Sequence, residues 1–149
     1  MTINVNKILV PVDFSLVSPL SIEYAASMAE KFDAQVLVIN VVESEAVFSV
    51  GLSDPVNVKD KWDKEAHGES KAKLIELCDK LSQSVKVETR VCSGDVSASI
   101  LACLSKDKCD MLIMGAHGSS GVLSDWLGGV AYKISKKAAC PVLMVRQNG

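Results

Sequence analysis

Residues 110–130 read DMLIMGAHGSSGVLSDWLGGV. The stretch opens with an apolar run, Met111 to Met114, long enough for a buried strand. Gly115, Gly118 and Gly121 follow closely, with His117 among them. A second glycine pair, Gly128 and Gly129, directly precedes a helical pattern. A strand that ends in glycines and leads to a helix start suits an anion. Glycine lets backbone N–H groups approach a phosphate, and the helix start adds unpaired donors and partial positive charge. The same residues also suit a surface loop that only turns the chain, and this stretch alone leaves both readings open.

Working outward, 149 residues suggest a single domain, 1–149, with room for a substantial core. A hydrophobic fraction of 48% belongs to a folded chain. The net charge is −2, with Lys and Arg spread along the sequence, which argues against nucleic acid as the main partner. The five cysteines, at 78, 92, 103, 109 and 140, form no C-x-x-C pair. That usage reads as a reduced, cytoplasmic protein with mostly buried thiols. Cys103, Cys109 and His117 match no common zinc spacing. The N-terminal MTINVNK lacks a signal-peptide core, and no run approaches the ~20 apolar residues of a membrane span.

Upstream, Lys7 to Val12 (KILVPV) reads as a first strand, followed at once by Asp13. Ser18-Pro19 reads as N-cap and first helical residue. Ile22, Ala25, Ala26, Ala29 and Phe32 mark the apolar face of that helix. Gln35 to Val42 (QVLVINVV) is apolar nearly throughout, as in a strand covered on both faces. Residues 43–59 read as a long loop. A helical pattern then runs from about Asp60 to Ser82, with Leu74, Leu77, Cys78 and Leu81 on one face. Trp62 is expected on that packing face and His67 in solvent. Val85 to Val91 alternates, which suits a sheet edge. After the Gly94-Asp95 turn, Val96, Ile100, Cys103 and Leu104 give a helix its buried stripe. Asp110 to Met114 is the fourth strand. Val130, Ala131, Ile134 and Ala138 line a last helix, and Pro141 to Val145 is the fifth strand.

Strand and helix alternation implies an α/β fold with an open, five-stranded parallel sheet and helices on both faces. Ligands of such sheets bind beyond the carboxyl ends of the strands, where strand order reverses. With the first and fourth strands as central neighbours, the Asp13 turn and the Gly115 loop meet in one crevice.

Gly115, Gly118 and Gly128 stand at the spacing G-x2-G-x9-G, and Gly129 follows. With the opening ILVPVDFS, the Ser93-Gly94-Asp95 turn and the closing CPVLMV at 140–145, the chain resembles the universal stress protein family over essentially its whole length. The resemblance implies a Rossmann-like sheet of order 3-2-1-4-5 that binds ATP or a related adenine nucleotide (ADP or AMP). It implies that Pro11, Val12 and Asp13 face the adenosine and that Val41 lines the adenine pocket. Gly115 would lie near the ribose. His117, Gly118 and Ser119 would follow the triphosphate, with Gly128, Gly129 and Val130 offering backbone N–H groups. It also implies a homodimer paired through Cys140 to Val145, which would cover an apolar edge strand.

The residue types suit these roles. The Asp13 carboxylate can accept from ribose hydroxyls or adenine N–H, and Val12 and Val41 suit an adenine face. Gly129 departs from the family pattern, which has Ser or Thr there. A lost hydrogen bond to a charged group is worth roughly 1.5–3 kcal/mol, about one to two decades in affinity. The backbone N–H of Gly129 remains, and Ser119 or Ser120 could donate from the other side. A branch of the family without the glycine motif does not bind ATP; this chain keeps three of the glycines.

No Walker-type G-x-x-x-x-G-K-[ST] and no G-x-G-x-x-G after a strand is present. No lysine is built into the glycine loop, so Mg²⁺ or Mn²⁺ held mainly by the phosphates is expected. His117 could move a proton or position a water; it could equally hydrogen-bond the loop or the triphosphate. Three functions therefore stand: a dimeric ATP-binding stress protein with slow or no hydrolysis, a slow ATPase or phosphotransfer protein using His117, and a nucleotide-free dimeric adaptor. Trp126 and Leu127 are expected in packing or as a lid.

Overall fold

The computed structural model describes residues 2–43, 55–81, 83–116 and 128–147, with backbone alone over 55–60. Five strands and four helices alternate: β1 (Lys7–Pro11), α1 (Ser18–Phe32), β2 (Gln35–Val42), α2 (Pro55–Cys78), β3 (Val87–Ser93), α3 (Val96–Lys106), β4 (Met111–Gly115), α4 (Gly129–Lys137) and β5 (Val142–Val145). The strands form one parallel sheet of order β3-β2-β1-β4-β5. The expected fold class and strand order hold.

Two-residue periodicity builds both layers. Ile8, Val10, Val36, Val38 and Ile113 point into one core, closed by Ile22, Ala25 and Ala29 of α1 and Leu74 of α2. Leu9, Leu37, Ile39, Leu112 and Met114 point into the other, closed by Ile100, Cys103 and Leu104 of α3 and Ala131 and Ile134 of α4. Apolar runs without alternation are therefore what β1, β2 and β4 require, since both faces are covered. Each fully buried Ile or Leu contributes on the order of 1.5–3 kcal/mol. β1 is further tied to β4 by the Asp110 carboxylate, which accepts from the backbone N–H of Asn6 at 2.8 Å and of Lys7 at 3.1 Å. On β3, Arg90 forks onto Asp107 at the end of α3, at 2.8 and 3.0 Å.

Several local expectations are corrected. Ser18 is not the N-cap of α1: Val17 occupies that position with no side-chain cap, and the Ser18 hydroxyl donates to Asp13 Oδ1 at 3.4 Å. α2 begins at Pro55, inside the expected 43–59 loop, of which residues 44–54 lie outside the described residues. Trp62 is exposed rather than packed, because the charged early part of α2 presents little apolar surface to the sheet. β3 runs two residues later than its alternating pattern suggests. The strand is placed by its ladder to β2, from Val36↔Val87 to Val42↔Ser93. Trp126 and Leu127 lie outside the described residues.

Candidate functional site

β1 ends at Pro11, and the chain must then turn sharply toward α1. Val12 N–H still reaches the Ile39 carbonyl at 2.8 Å, so the turn begins only at Asp13. Asp13 Oδ1 accepts from Ser15 N–H at 3.0 Å, an Asx-type turn. Between them Phe14 takes the left-handed conformation, φ 62°. The turn is thus held by the carboxylate suspected from sequence, whose second oxygen has no hydrogen-bond donor among the described residues.

On the other side of the switch point, β4 ends at Gly115, which pairs with Val145. Ala116 N–H donates to the Val145 carbonyl, and Gly128 N–H to the Ala116 carbonyl, both at 2.9 Å. These two bonds bring the start of α4 back against the end of β4. Gly128 caps α4 without a side chain, and no acidic residue sits in the first turn. The first intrahelical bond runs from Tyr132 N–H to the Gly128 carbonyl at 2.8 Å. The N–H groups of Gly129, Val130 and Ala131 therefore have no intrahelical acceptor. α3 differs: its Asp95 carboxylate takes the Ala98 N–H at 2.9 Å, so its own side chain occupies that helix start.

Between these two turns lies a crevice of about 480 Å³. Of the residues suspected from sequence, Pro11, Val12, Asp13, Val41, Gly115, Gly128, Gly129 and Val130 all line it. His117, Gly118 and Ser119 lie outside the described residues. The strand order makes the crevice polar in a definite sense. Asp13 and Glu43 stand on the β1 and β2 side, and the α4 N–H groups that lack an intrahelical acceptor stand beyond β4. Among the described lining residues there is no Lys or Arg. An anion would meet N–H dipoles on one wall and carboxylates on the other.

Sequence reasoning missed Asn40, Glu43, Val96 and Ile100, all of which line the crevice. Asn40 had a signal: it is the one polar residue after Gln35 in QVLVINVV. Its Nδ2 donates to the Val12 carbonyl at 2.8 Å, and its Oδ1 accepts from the buried Ser70 hydroxyl at 2.7 Å. α2 is thereby fastened to the rim of the crevice. His67, expected in solvent, is half-buried and bonded to the Ser93 hydroxyl at the end of β3.

Parallel strands wound on both faces, with the crevice at the reversal of strand order, define a doubly wound α/β protein with a crevice at the carboxyl ends of the strands, the place where folds of this class bind ligands. The universal stress protein family model matches residues 4–146, and the chain belongs to that family. It is 30% identical to universal stress protein MJ0531 of Methanocaldococcus jannaschii, over 95% of this chain and 82% of that one. Among solved structures, that of protein MJ0577 superposes with a TM-score of 0.87 at 23% identity, covering 99% of each chain. A universal stress protein in complex with cAMP superposes with a TM-score of 0.63 at 17% identity, covering 97% of this chain and 98% of that one. The Archaeoglobus fulgidus universal stress protein in complex with dAMP gives 0.62 at 16%, covering 95% and 98%.

Proposed function

We propose that the crevice binds an adenine nucleotide, ATP or its ADP or AMP relatives, and that the protein works as a cytoplasmic, dimeric nucleotide-binding regulator with slow or no hydrolysis. The observation that carries this reading is the convergence of Val12, Asp13, Val41 and Gly115 with the uncapped start of α4 on one crevice. Apolar Val12 and Val41 suit a purine face. Asp13 suits ribose hydroxyls, and the N–H groups of Gly129 to Ala131 suit phosphates, at about 0.3–2 kcal/mol from the helix end. The cAMP and dAMP complexes of proteins with this fold support the choice of adenine. His117, Gly118 and Ser119 would follow the phosphate chain.

Among the described residues no three metal-ligating side chains converge. Mg²⁺ or Mn²⁺ would take its ligands from phosphate oxygens and water, and would offset the charge that no Lys or Arg meets among the described lining residues.

The homodimer would form at β5, a four-residue edge strand whose Val142, Leu143 and Met144 are only half-buried. Edge-to-edge pairing with a second copy would cover them.

Calorimetric titration with ATP, ADP and AMP, with and without Mg²⁺, on wild type and Gly118→Val tests the binding reading. Micromolar or tighter binding that disappears in the variant is expected. No heat with any of the three nucleotides would favour a nucleotide-free adaptor. Sedimentation equilibrium tests the dimer, and a monomer at micromolar concentration would remove that part of the reading.

A further inference from the structure

The Sγ atoms of Cys92 and Cys103 are 3.8 Å apart. Cys92 is half-buried on β3, directly across the ladder from Val41. Cys103 is buried on α3, the helix whose Val96 and Ile100 line the crevice. The two thiols therefore touch immediately behind one wall of the crevice, and no role in nucleotide binding calls for them.

We propose that Cys92 and Cys103 are an oxidative modification site, converted by peroxides to an intramolecular disulfide that changes the fit of the crevice. The second half of this inference rests on the nucleotide-binding reading; the first does not.

The chemistry is self-contained. The Cys92 thiolate attacks one peroxide oxygen, the O–O bond breaks, and hydroxide leaves, giving a sulfenic acid on Cys92. Cys103 sulfur then attacks that sulfur and displaces its oxygen as water. Two thiols and one hydrogen peroxide become one disulfide and two waters, and the two electrons lost by sulfur reduce the O–O bond. Cys92 is the first target because it is the less buried of the two. The sulfurs must close from 3.8 Å to a bond of roughly 2.05 Å. β3 is fixed to β2 by a seven-residue ladder, so α3 takes up the movement and carries Val96 and Ile100 with it.

The groups facing the Cys92 thiol are Cys103, Arg90 and Asp107. Burial, with Cys103 second, pushes it up to about 11, while Arg90 pulls it down. The thiolate fraction at neutral pH is therefore small. Attack on peroxide is therefore slow at neutral pH and accelerates as pH rises.

The test uses the full chain treated with hydrogen peroxide and alkylated afterwards. Trypsin leaves both cysteines in one peptide, residues 91–106, and a second cleavage before Asp95 separates them. The expected result is an unalkylated peptide two hydrogens lighter, whose halves stay joined after the second cut until reduced. Cys92→Ser removes the link and Cys78→Ser keeps it. Alkylation of both residues after peroxide, or linkage of either to another cysteine, overturns the proposal. The initial rate should rise about tenfold per pH unit from 7 to 10; a flat profile overturns attack by the Cys92 thiolate.

Nucleotide titration of reduced and oxidised protein reads the coupling, with a change in Kd of about fivefold or more expected. Equal affinities overturn the coupling. If the reduced protein binds no nucleotide, the nucleotide reading fails, and the disulfide is still decided by the peptide.

Discussion

Ser70 and Asn40 form a hydrogen bond of 2.7 Å between α2 and the end of β2, and Asn40 passes the connection on to the Val12 carbonyl at 2.8 Å. Asn40→Leu would leave the buried Ser70 hydroxyl and the Val12 carbonyl unpaired. A loss of about 1–3 kcal/mol per unsatisfied group is expected, read as a lower urea midpoint. Ser70→Ala removes only one partner and should cost about 1 kcal/mol. Nucleotide affinity should fall in Asn40→Leu more than in Ser70→Ala, because only the first frees the Val12 carbonyl. Equal affinities in the two variants would show that the Val12 anchor does not matter to the site.

Gly129→Ser adds a side chain whose Cβ meets nothing within 4 Å among the described residues. Fold stability should hold or rise by a few tenths of a kcal/mol, since serine suits a helix start better than it suits a helix interior. If phosphates sit at the start of α4, the added hydroxyl should tighten ATP by roughly one decade or more. AMP binding should change less. Calorimetry on both nucleotides checks this, and an equal gain for both would move the hydroxyl's contact away from the β and γ phosphates.

Ile100 is 1% exposed, belongs to the second core and also lines the crevice. Ile100→Ala should cost about 2–5 kcal/mol, and Ile100→Val about 0.5–1.5. The valine variant is the informative one for function. It leaves the fold intact while widening the crevice by one methylene, so a weaker nucleotide affinity with near-normal stability is expected.

The fork of Arg90 holds the Asp107 carboxyl below its ordinary value of 3.8. A carboxylate with a depressed folded pKa binds fewer protons than it does unfolded at the same pH. Its contribution is therefore fully present above that ordinary value and is lost as pH falls through the lower folded one. Wild type should lose stability below about pH 4 more steeply than Asp107→Asn does. Urea midpoints from pH 7 to pH 2 for both proteins measure the difference. Parallel curves would mean that solvent screening at the partly exposed Arg90 removes the effect.

The layers were legible in the sequence because burial on both faces leaves an unambiguous mark. KILV, QVLVINVV and MLIM have no reason to be so apolar except in the middle of a sandwich of helices. Asp13 and the glycines could be suspected because their residue types are unusual immediately after such runs. Ser18 was misjudged because a cap preference is local, whereas Ser18 and Asp13 bond across a turn set by Phe14's left-handed backbone. The bonds from Ser70 to Asn40 and from His67 to Ser93 join residues 30 and 26 positions apart. No periodicity within α2 encodes them; they depend on where α2 lies against the sheet.

The central position of β1 has a consequence for how the chain is made. β1 is synthesised before every other strand of the sheet, and its neighbour β4 begins at Met111, about a hundred residues later. At roughly 5–20 residues per second, a growing chain carries β1 for about 5–20 s with one side of its ladder open. β2 arrives early and can cover the other side. During that interval the nascent βαβ unit offers a strand edge to any passing chain, and slowed translation between residues 42 and 111 would lengthen the exposure.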